Sequence, residues 1–139
     1  MAIERGYVMV KPVAFKSKHI GRIISKIEEA GFDFLAIKSI QLTTKLAKQF
    51  YGIHKERPFF GELIEFMTSD KVVAMCVEKE NCIADMRALV GNTDPKKAAP
   101  GTIRAELGTD IQANSVHASD SVENGLIESN FFFSNVELV

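Results

Sequence analysis

Cysteine is scarce in this 139-residue chain, which has only Cys76 and Cys82. Two thiols cannot build a disulfide framework, and neither has a histidine or second cysteine pair at metal-ligand spacing, so no protein-held metal is expected. A reducing compartment follows. Charge of one sign is also lacking: 17 Lys plus Arg stand against 18 Asp plus Glu, a formal net charge of −1. No whole-protein positive field exists to hold a nucleic-acid backbone, and any anion must be bound by a local cluster. No stretch approaches the roughly 20 apolar residues of a membrane span, and Glu4 and Arg5 precede any apolar run, so a soluble cytoplasmic protein is expected. The sequence has no GxxxxGK[ST] phosphate loop, no GxGxxG after a strand and no protein-kinase catalytic loop. It also has no internal repeat and no low-complexity segment.

With 46% apolar residues the chain can form one continuous core, and its length suits a single domain over residues 1–139. Tyr7 to Val10 is an apolar run that reads as a strand ending at Lys11 and Pro12, which delivers Lys11 to a loop. Ile20, Ile23, Ile24 and Ile27 follow at i, i+3, i+4 and i+7, predicting an amphipathic helix from Ser17, its cap, to Ala30, with Gly31 as the stop. Phe32 to Leu42 reads as a second strand, and Thr43 or Thr44 caps a short helix that breaks near Gly52. Pro58 opens another helix with Phe60, Leu63, Ile64 and Met67 as its buried stripe and Phe59 one position off it.

Val72 to Val77 predicts a strand apolar on both faces, which must be covered on both sides or lie centrally in a sheet. A helix over 81–90 ends at Gly91. From Gly91 to Val116 the chain is loop-like, with at most one helical turn at Thr102 to Glu106, and loops this long are usually functional or disordered. Ser115 to Ala118 reads as a short strand, and Asp120 with Glu123 as the cap of a last helix. The resulting β-α-β-α-β-α-β-α order predicts a ferredoxin-like βαββαβ sandwich of the α+β class, a small antiparallel sheet packed on one side by helices.

Among the three histidines, His19 and His54 sit between lysines and glutamates and read as solvated. His117 differs. It lies within Asn114-Ser115-Val116-His117-Ala118-Ser119-Asp120-Ser121, after a strand and just before a helix N-terminus, where backbone N–H groups and the helix dipole favour an anion. Spacing alone leaves a functional and a hydrogen-bonded structural histidine both open. Lys11 after the first strand, Arg87 just off the apolar side of its helix and Arg104 in the long loop each read singly as surface charges. Gathered near one histidine they would suit a triphosphate, since a guanidinium grips oxygens in pairs while lysine acts as a point charge.

Lys11-Pro12, His54-Lys55-Glu56-Arg57-Pro58-Phe59-Phe60, Gly91-Asn92-Thr93-Asp94-Pro95, Pro100-Gly101-Thr102-Ile103-Arg104 and the His117 segment, in that order, resemble the nucleoside diphosphate kinases over nearly the whole chain. The resemblance implies an enzyme that moves the γ-phosphate of a nucleoside triphosphate onto a nucleoside diphosphate by a ping-pong route, with Mg2+ carried on the phosphates. It implies His117 as the nucleophile, a role suited to an imidazole that is substantially neutral near pH 7 and forms a reactive phosphoramidate. Lys11, Arg87, Thr93 and Arg104 would contact phosphates or the ribose end and Asn114 a sugar hydroxyl. Phe59 would stack on the base, which tolerates any base. Tyr51, Ser119 and Glu128 match family positions around the histidine, with Glu128 orienting the imidazole and lying on the last helix away from a core side set by Val122 and Leu126. A homo-oligomer, tetramer or hexamer, is implied, with no membrane and no nucleic acid among the partners.

The sequence departs from the family in four places. Val13 stands where Asp often follows Lys-Pro, and Ala118 where Gly usually follows the histidine, which requires a backbone that Ala tolerates. Ala105-Glu106-Leu107 replaces a common Asp-Phe pair, and the C-terminal part reads Asn130-Phe131-Phe132-Phe133 without the frequent Trp. The competing reading is a non-catalytic nucleotide-binding or protein-interaction module of the same fold, against which Lys11, Arg104 and His117 stand intact. Single-stranded nucleic-acid binding on the sheet is disfavoured by the absent aromatic strand motif and basic balance.

Overall fold

Two strands apolar on both faces dictate the architecture of this protein, described here from a computed structural model for residues 3–52, 56–108 and 115–138. β1 (Ile3–Val10) runs antiparallel to β3 (Val72–Glu80), with Tyr7 opposite Cys76 and Val10 opposite Val73. On its far side β3 pairs with β2 (Asp33–Ile40), antiparallel with a register shift between Phe34 and Ala36. β4 (Val116–Ala118) pairs antiparallel with β1, placing His117 opposite Met9. The order β2-β3-β1-β4 is the ferredoxin-like arrangement expected.

The central pair must bury both faces, and helices cover both, which corrects the one-sided packing inferred from the sequence. On one face Val8, Val10, Val73, Met75 and Val77 meet Ile23 and Ile27 of α2 (Ile20–Glu29) and Met86 and Val90 of α5 (Cys82–Val90). On the other Tyr7, Met9, Val72, Ala74 and Cys76 meet Ala47 of α3 (Thr44–Phe50), Ile64 and Met67 of α4 (Phe60–Met67) and Phe132 of α7 (Val122–Phe132). Each Val, Ile, Met or Phe among them contributes about 1.5–3 kcal/mol on full burial, so these two layers dominate the folding energy. Among the described residues no helix is long and apolar enough to cross a membrane.

Several helix ends differ from expectation. Pro12 does not lead into a loop but opens α1 (Pro12–Lys16), since its fixed φ is preorganised for the first helical position. Ser17 therefore terminates α1 instead of capping the next helix, the chain turns at Lys18 with φ 62°, and α2 begins after His19 with no side-chain cap. Thr43 caps α3 as expected, accepting from Leu46 N at 3.1 Å. In the long connection after α5 a 3-10 turn (Pro95–Lys97) precedes α6 (Ile103–Leu107), whose cap Thr102 accepts from Ala105 N at 3.3 Å. The cap of α7 is Ser121, which accepts from Asn124 N at 3.0 Å; the expected cap Asp120 instead accepts from Asn124 Nδ2 at 2.6 Å.

Candidate active site

The site forms where β1, β4 and the C-terminus of α5 meet. Lys11 N donates to Ser115 O at 2.8 Å, tying the end of β1 to the entry of β4 and setting the Lys11 and His117 segments side by side. Gly91 closes α5 with φ 94°, and a Cβ on it would stand 2.6 Å from Thr102 Oγ1, so both its left-handed backbone and its lack of a side chain let the long connection fold back onto the helix. That fold-back delivers Arg104. Its Nη1 donates to Gly91 O at 3.0 Å and its Nη2 to Val116 O at 2.9 Å, so one guanidinium joins the α5 terminus to the strand bearing His117. Burial first, and the Arg87 charge second, pull Arg104 down to about 10, which leaves it cationic at neutral pH.

Lys11, Tyr51, Arg87, Thr93, Arg104, His117 and Glu128 all line one cleft of about 700 Å³. Phe59 stands outside that lining, at the N-terminus of α4 and 43% exposed. Ser119 is buried behind the cleft wall. Asn114 and His54 lie outside the described residues.

His117 Nε2 donates to Glu128 Oε1 at 2.9 Å, and Ser119 Oγ lies 3.0 Å from the same oxygen. Because a carboxylate oxygen accepts, the Nε2 position carries the proton and the Nδ1 lone pair is left for chemistry. Ser119 is itself anchored to β1: Tyr7 N donates to its Oγ at 2.8 Å, and its own N donates to Tyr7 O at 3.0 Å. Glu128 reaches the histidine for a reason other than the one inferred. Val122 and Leu126 do not define the core side of α7, since both are 43% exposed. The buried side is Gly125, Ser129 and Phe132, and its small residues let the helix approach β1. Ala118 lies in β4 opposite Val8, and its φ is outside the left-handed region, so Ala replaces Gly there without backbone strain.

Sequence reasoning did not single out Phe50, Asp120 or Asn124 as site residues, yet all three line the cleft. Phe50 presents itself edge-on to the His117 ring, with centroids 5.5 Å apart and planes at 78°. Its adjacency to Tyr51 was the available signal. The Asn124 hydrogen bond is the main cause of an Asp120 carboxyl held below its ordinary range, with the Arg87 charge a smaller one.

A half-buried histidine–carboxylate pair facing a cleft lined by lysine and two arginines is the equipment of an enzyme that handles phosphate through histidine. The chain belongs to the nucleoside diphosphate kinase family, whose model matches residues 4–138. It is 50% identical over 139 residues to the nucleoside diphosphate kinase of Acidiphilium cryptum (strain JF-5), covering 100% of this chain and 99% of that protein. It is also 50% identical over 136 residues to the Wolinella succinogenes nucleoside diphosphate kinase, covering 98% and 99%. Among solved structures, the Aquifex aeolicus nucleoside diphosphate kinase superposes with TM-score 0.96 at 43% identity over 99% of this chain and 100% of that one. The halophilic nucleoside diphosphate kinase of Halobacterium salinarum, in complex with CDP, gives 0.95 at 37% identity, covering 99% and 92%. The protein is accordingly a nucleotide-binding phosphotransferase that moves the γ-phosphate of a nucleoside triphosphate to a nucleoside diphosphate, by the phosphohistidine route general to the family.

Proposed function

We propose that His117 is the histidine that carries the phosphate in this chain. The observation that supports it is the 2.9 Å contact between His117 Nε2 and Glu128, which commits one ring nitrogen and leaves the other to attack. In the first half-reaction Nδ1 donates its lone pair to the γ-phosphorus, the bond from that phosphorus to the bridging oxygen breaks, and the diphosphate leaves with the electron pair. A second nucleoside diphosphate then takes the phosphoryl group from His117 by the reverse displacement. Lys11, Arg87 and Arg104 offset the phosphate charge, which is the main catalytic task in such transfers. Thr93 and Asn114 are assigned to the phosphate and ribose end, Phe59 to the base, and Tyr51 and Ser119 to support of the dyad.

The donor set of the cleft fits phosphates that arrive with magnesium. Glu128 is committed to His117 and Ser119, while Asp120 is a lining carboxylate, ionised at neutral pH, able to hold water on the metal. Magnesium would neutralise phosphate charge. We further assign the chain to the cytoplasm as a single domain, and to a homo-oligomer of four or six copies. The exposed Leu126, Ile127 and Phe131 of α7 and Ile37 of the edge strand β2 support assembly. Light scattering near 15 kDa would overturn it.

The deciding experiment is incubation with γ-labelled ATP and magnesium without acceptor, then with a second nucleoside diphosphate. The expected result is an acid-labile, alkali-stable label on His117 that is discharged by the acceptor and absent from His117→Ala. Label on Ser119 or Ser121, or normal turnover in His117→Ala, would overturn the assignment.

A further inference from the structure

Phe50 lines the cleft without a polar atom, so it neither holds a phosphate nor moves a proton. It is the last residue of α3, whose final turn is closed by Tyr51 N donating to Ala47 O at 3.0 Å. Ala47 and Tyr51, four residues apart on one side of the helix, are buried in the core. Phe50, one position off that line, is left half-buried at the core edge, with its ring at the cleft.

Other rings hold it there. Phe132 lies 5.2 Å away at 58°, and Phe132 is itself stacked on the fully buried Tyr7, with centroids 5.0 Å apart and planes at 2°. Tyr51 meets Phe50 edge-on, at 4.9 Å and 89°. With its backbone at a closed helix end and core aromatics behind it, Phe50 offers a fixed surface to the ring it meets at the cleft, His117, at 5.5 Å and 78°. Near-perpendicular ring pairs at this separation are a preferred aromatic geometry.

The imidazole needs such a surface. Its hydrogen bond runs from Nε2 to Glu128 Oε1 at 2.9 Å, and its side chain is 23% exposed. Nε2 lies close to the extension of the Cβ–Cγ bond, so turning the ring about that bond moves Nε2 little. The same turn swings the Nδ1 lone pair through a wide angle. A hydrogen bond at Nε2 therefore selects the attacking nitrogen but leaves its direction loosely set, whereas in-line transfer requires that direction to within about 10–20°. A contact on the face or edge of the ring blocks the turn.

Taking His117 as the nucleophile, we infer that Phe50 is a positioning residue of the transfer: its ring, set across the imidazole and backed by Phe132, fixes the plane of His117 and with it the direction of Nδ1. Glu128 decides which nitrogen attacks, and Phe50 decides where it points. The tilted Tyr7 ring, 5.9 Å from the imidazole at 51°, adds a further restraint from the core.

Phe50→Leu tests this, because it keeps an apolar side chain and removes the flat ring. The expected result is a single-turnover phosphorylation by ATP and magnesium slower by roughly three- to tenfold, the scale of one aromatic pair, with an unchanged ADP dissociation constant. Relaxation of 13C in the His117 ring should report a rigid side chain in the parent and nanosecond reorientation in the variant, while 15N shifts show the Nε2–H tautomer in both, since Glu128 remains. Phe50→Met, which fills the space with a flexible chain, should behave alike and replaces the first variant if that fails to fold. A parental rate would overturn the inference. So would a slower rate with a rigid ring or with weakened ADP binding, which would assign the effect to packing. A parent that forms no phosphohistidine would reject His117 as nucleophile and the role of Phe50 with it, whereas a labelled parent beside an unimpaired variant would remove Phe50 alone.

Discussion

Gly125 of α7 lies against the carbonyl of Arg5 in β1: a Cβ at position 125 would stand 2.5 Å from Arg5 O and 3.4 Å from Gly6 Cα. The obstacle is strand backbone, which cannot rotate away. Alanine is better than glycine in a helix by about 1 kcal/mol, but overpacking a tight contact costs about 1–3 kcal/mol and here requires the whole helix to move. Gly125→Ala should therefore lower stability in urea unfolding. Because α7 also carries Glu128, it should slow phosphorylation of His117 as well. A variant as stable and as fast as the parent would show that α7 slides freely on β1.

Replacing Glu128 separates orientation from binding. The carboxylate touches His117 and Ser119, whereas the cations assigned to the phosphates are Lys11, Arg87 and Arg104. A hydrogen bond to a charged group is worth about 1.5–3 kcal/mol, which corresponds to roughly 10- to 150-fold in rate. Glu128→Ala should slow rapid-quench phosphorylation by that factor and leave equilibrium nucleotide affinity nearly unchanged. Large loss of affinity with normal chemistry would remove Glu128 from its assigned role.

The sheet and most helices were legible because their residues obey simple periods: Ile20, Ile23, Ile24 and Ile27 mark α2, and the unbroken apolar run of β3 requires cover on both faces. Legibility failed where tertiary contact overrides local pattern. The sequence presents Val122 and Leu126 as the natural core side of α7, yet burial falls on Gly125, Ser129 and Phe132, because only small residues allow approach to β1. Pro12 misled because proline excludes a helix interior but favours its first turn. The clustering of Lys11, Arg87 and Arg104 around His117 is a property of the strand order β3-β1-β4 and of the fold-back at Gly91. Neither can be seen in spacing along the chain; the motif resemblance supplied it instead.

Phe59 is 43% exposed at the start of α4, where a base could lie against its ring. Stacking on an aromatic is worth about 1–3 kcal/mol per base and reads no base edge. Phe59→Ala should weaken binding of adenine, guanine, cytosine and uracil diphosphates by similar factors, with thermal stability within about 0.5 kcal/mol of the parent, as for other exposed substitutions. Calorimetry of the four nucleotides decides it. Loss confined to one base would reveal a polar contact to a base edge, and no loss would place the base elsewhere.

Alkaline stability should be governed by buried thiols and phenols. Cys76 and Cys82 are fully buried, and burial is the first cause that raises both thiols, Cys82 to about 11 from an ordinary 9.0. Tyr7 and Tyr51 are raised in the same direction for the same first cause. Above pH 9 the unfolded chain releases the Cys82 proton while the folded chain retains it, so the unfolded state binds fewer protons and stability falls as pH rises. This contribution is complete below pH 9 and is lost between pH 9 and about 11. Urea midpoints should be flat from pH 7 to 8.5 and then decline, with native thiols inert to alkylation until the chain unfolds. Cys82→Ala should be less stable throughout, from the lost volume against Gly6, yet its decline between pH 9 and 11 should be shallower than the parent's. An identical slope in the variant would show that Cys82 ionises in the folded protein as readily as in the unfolded one.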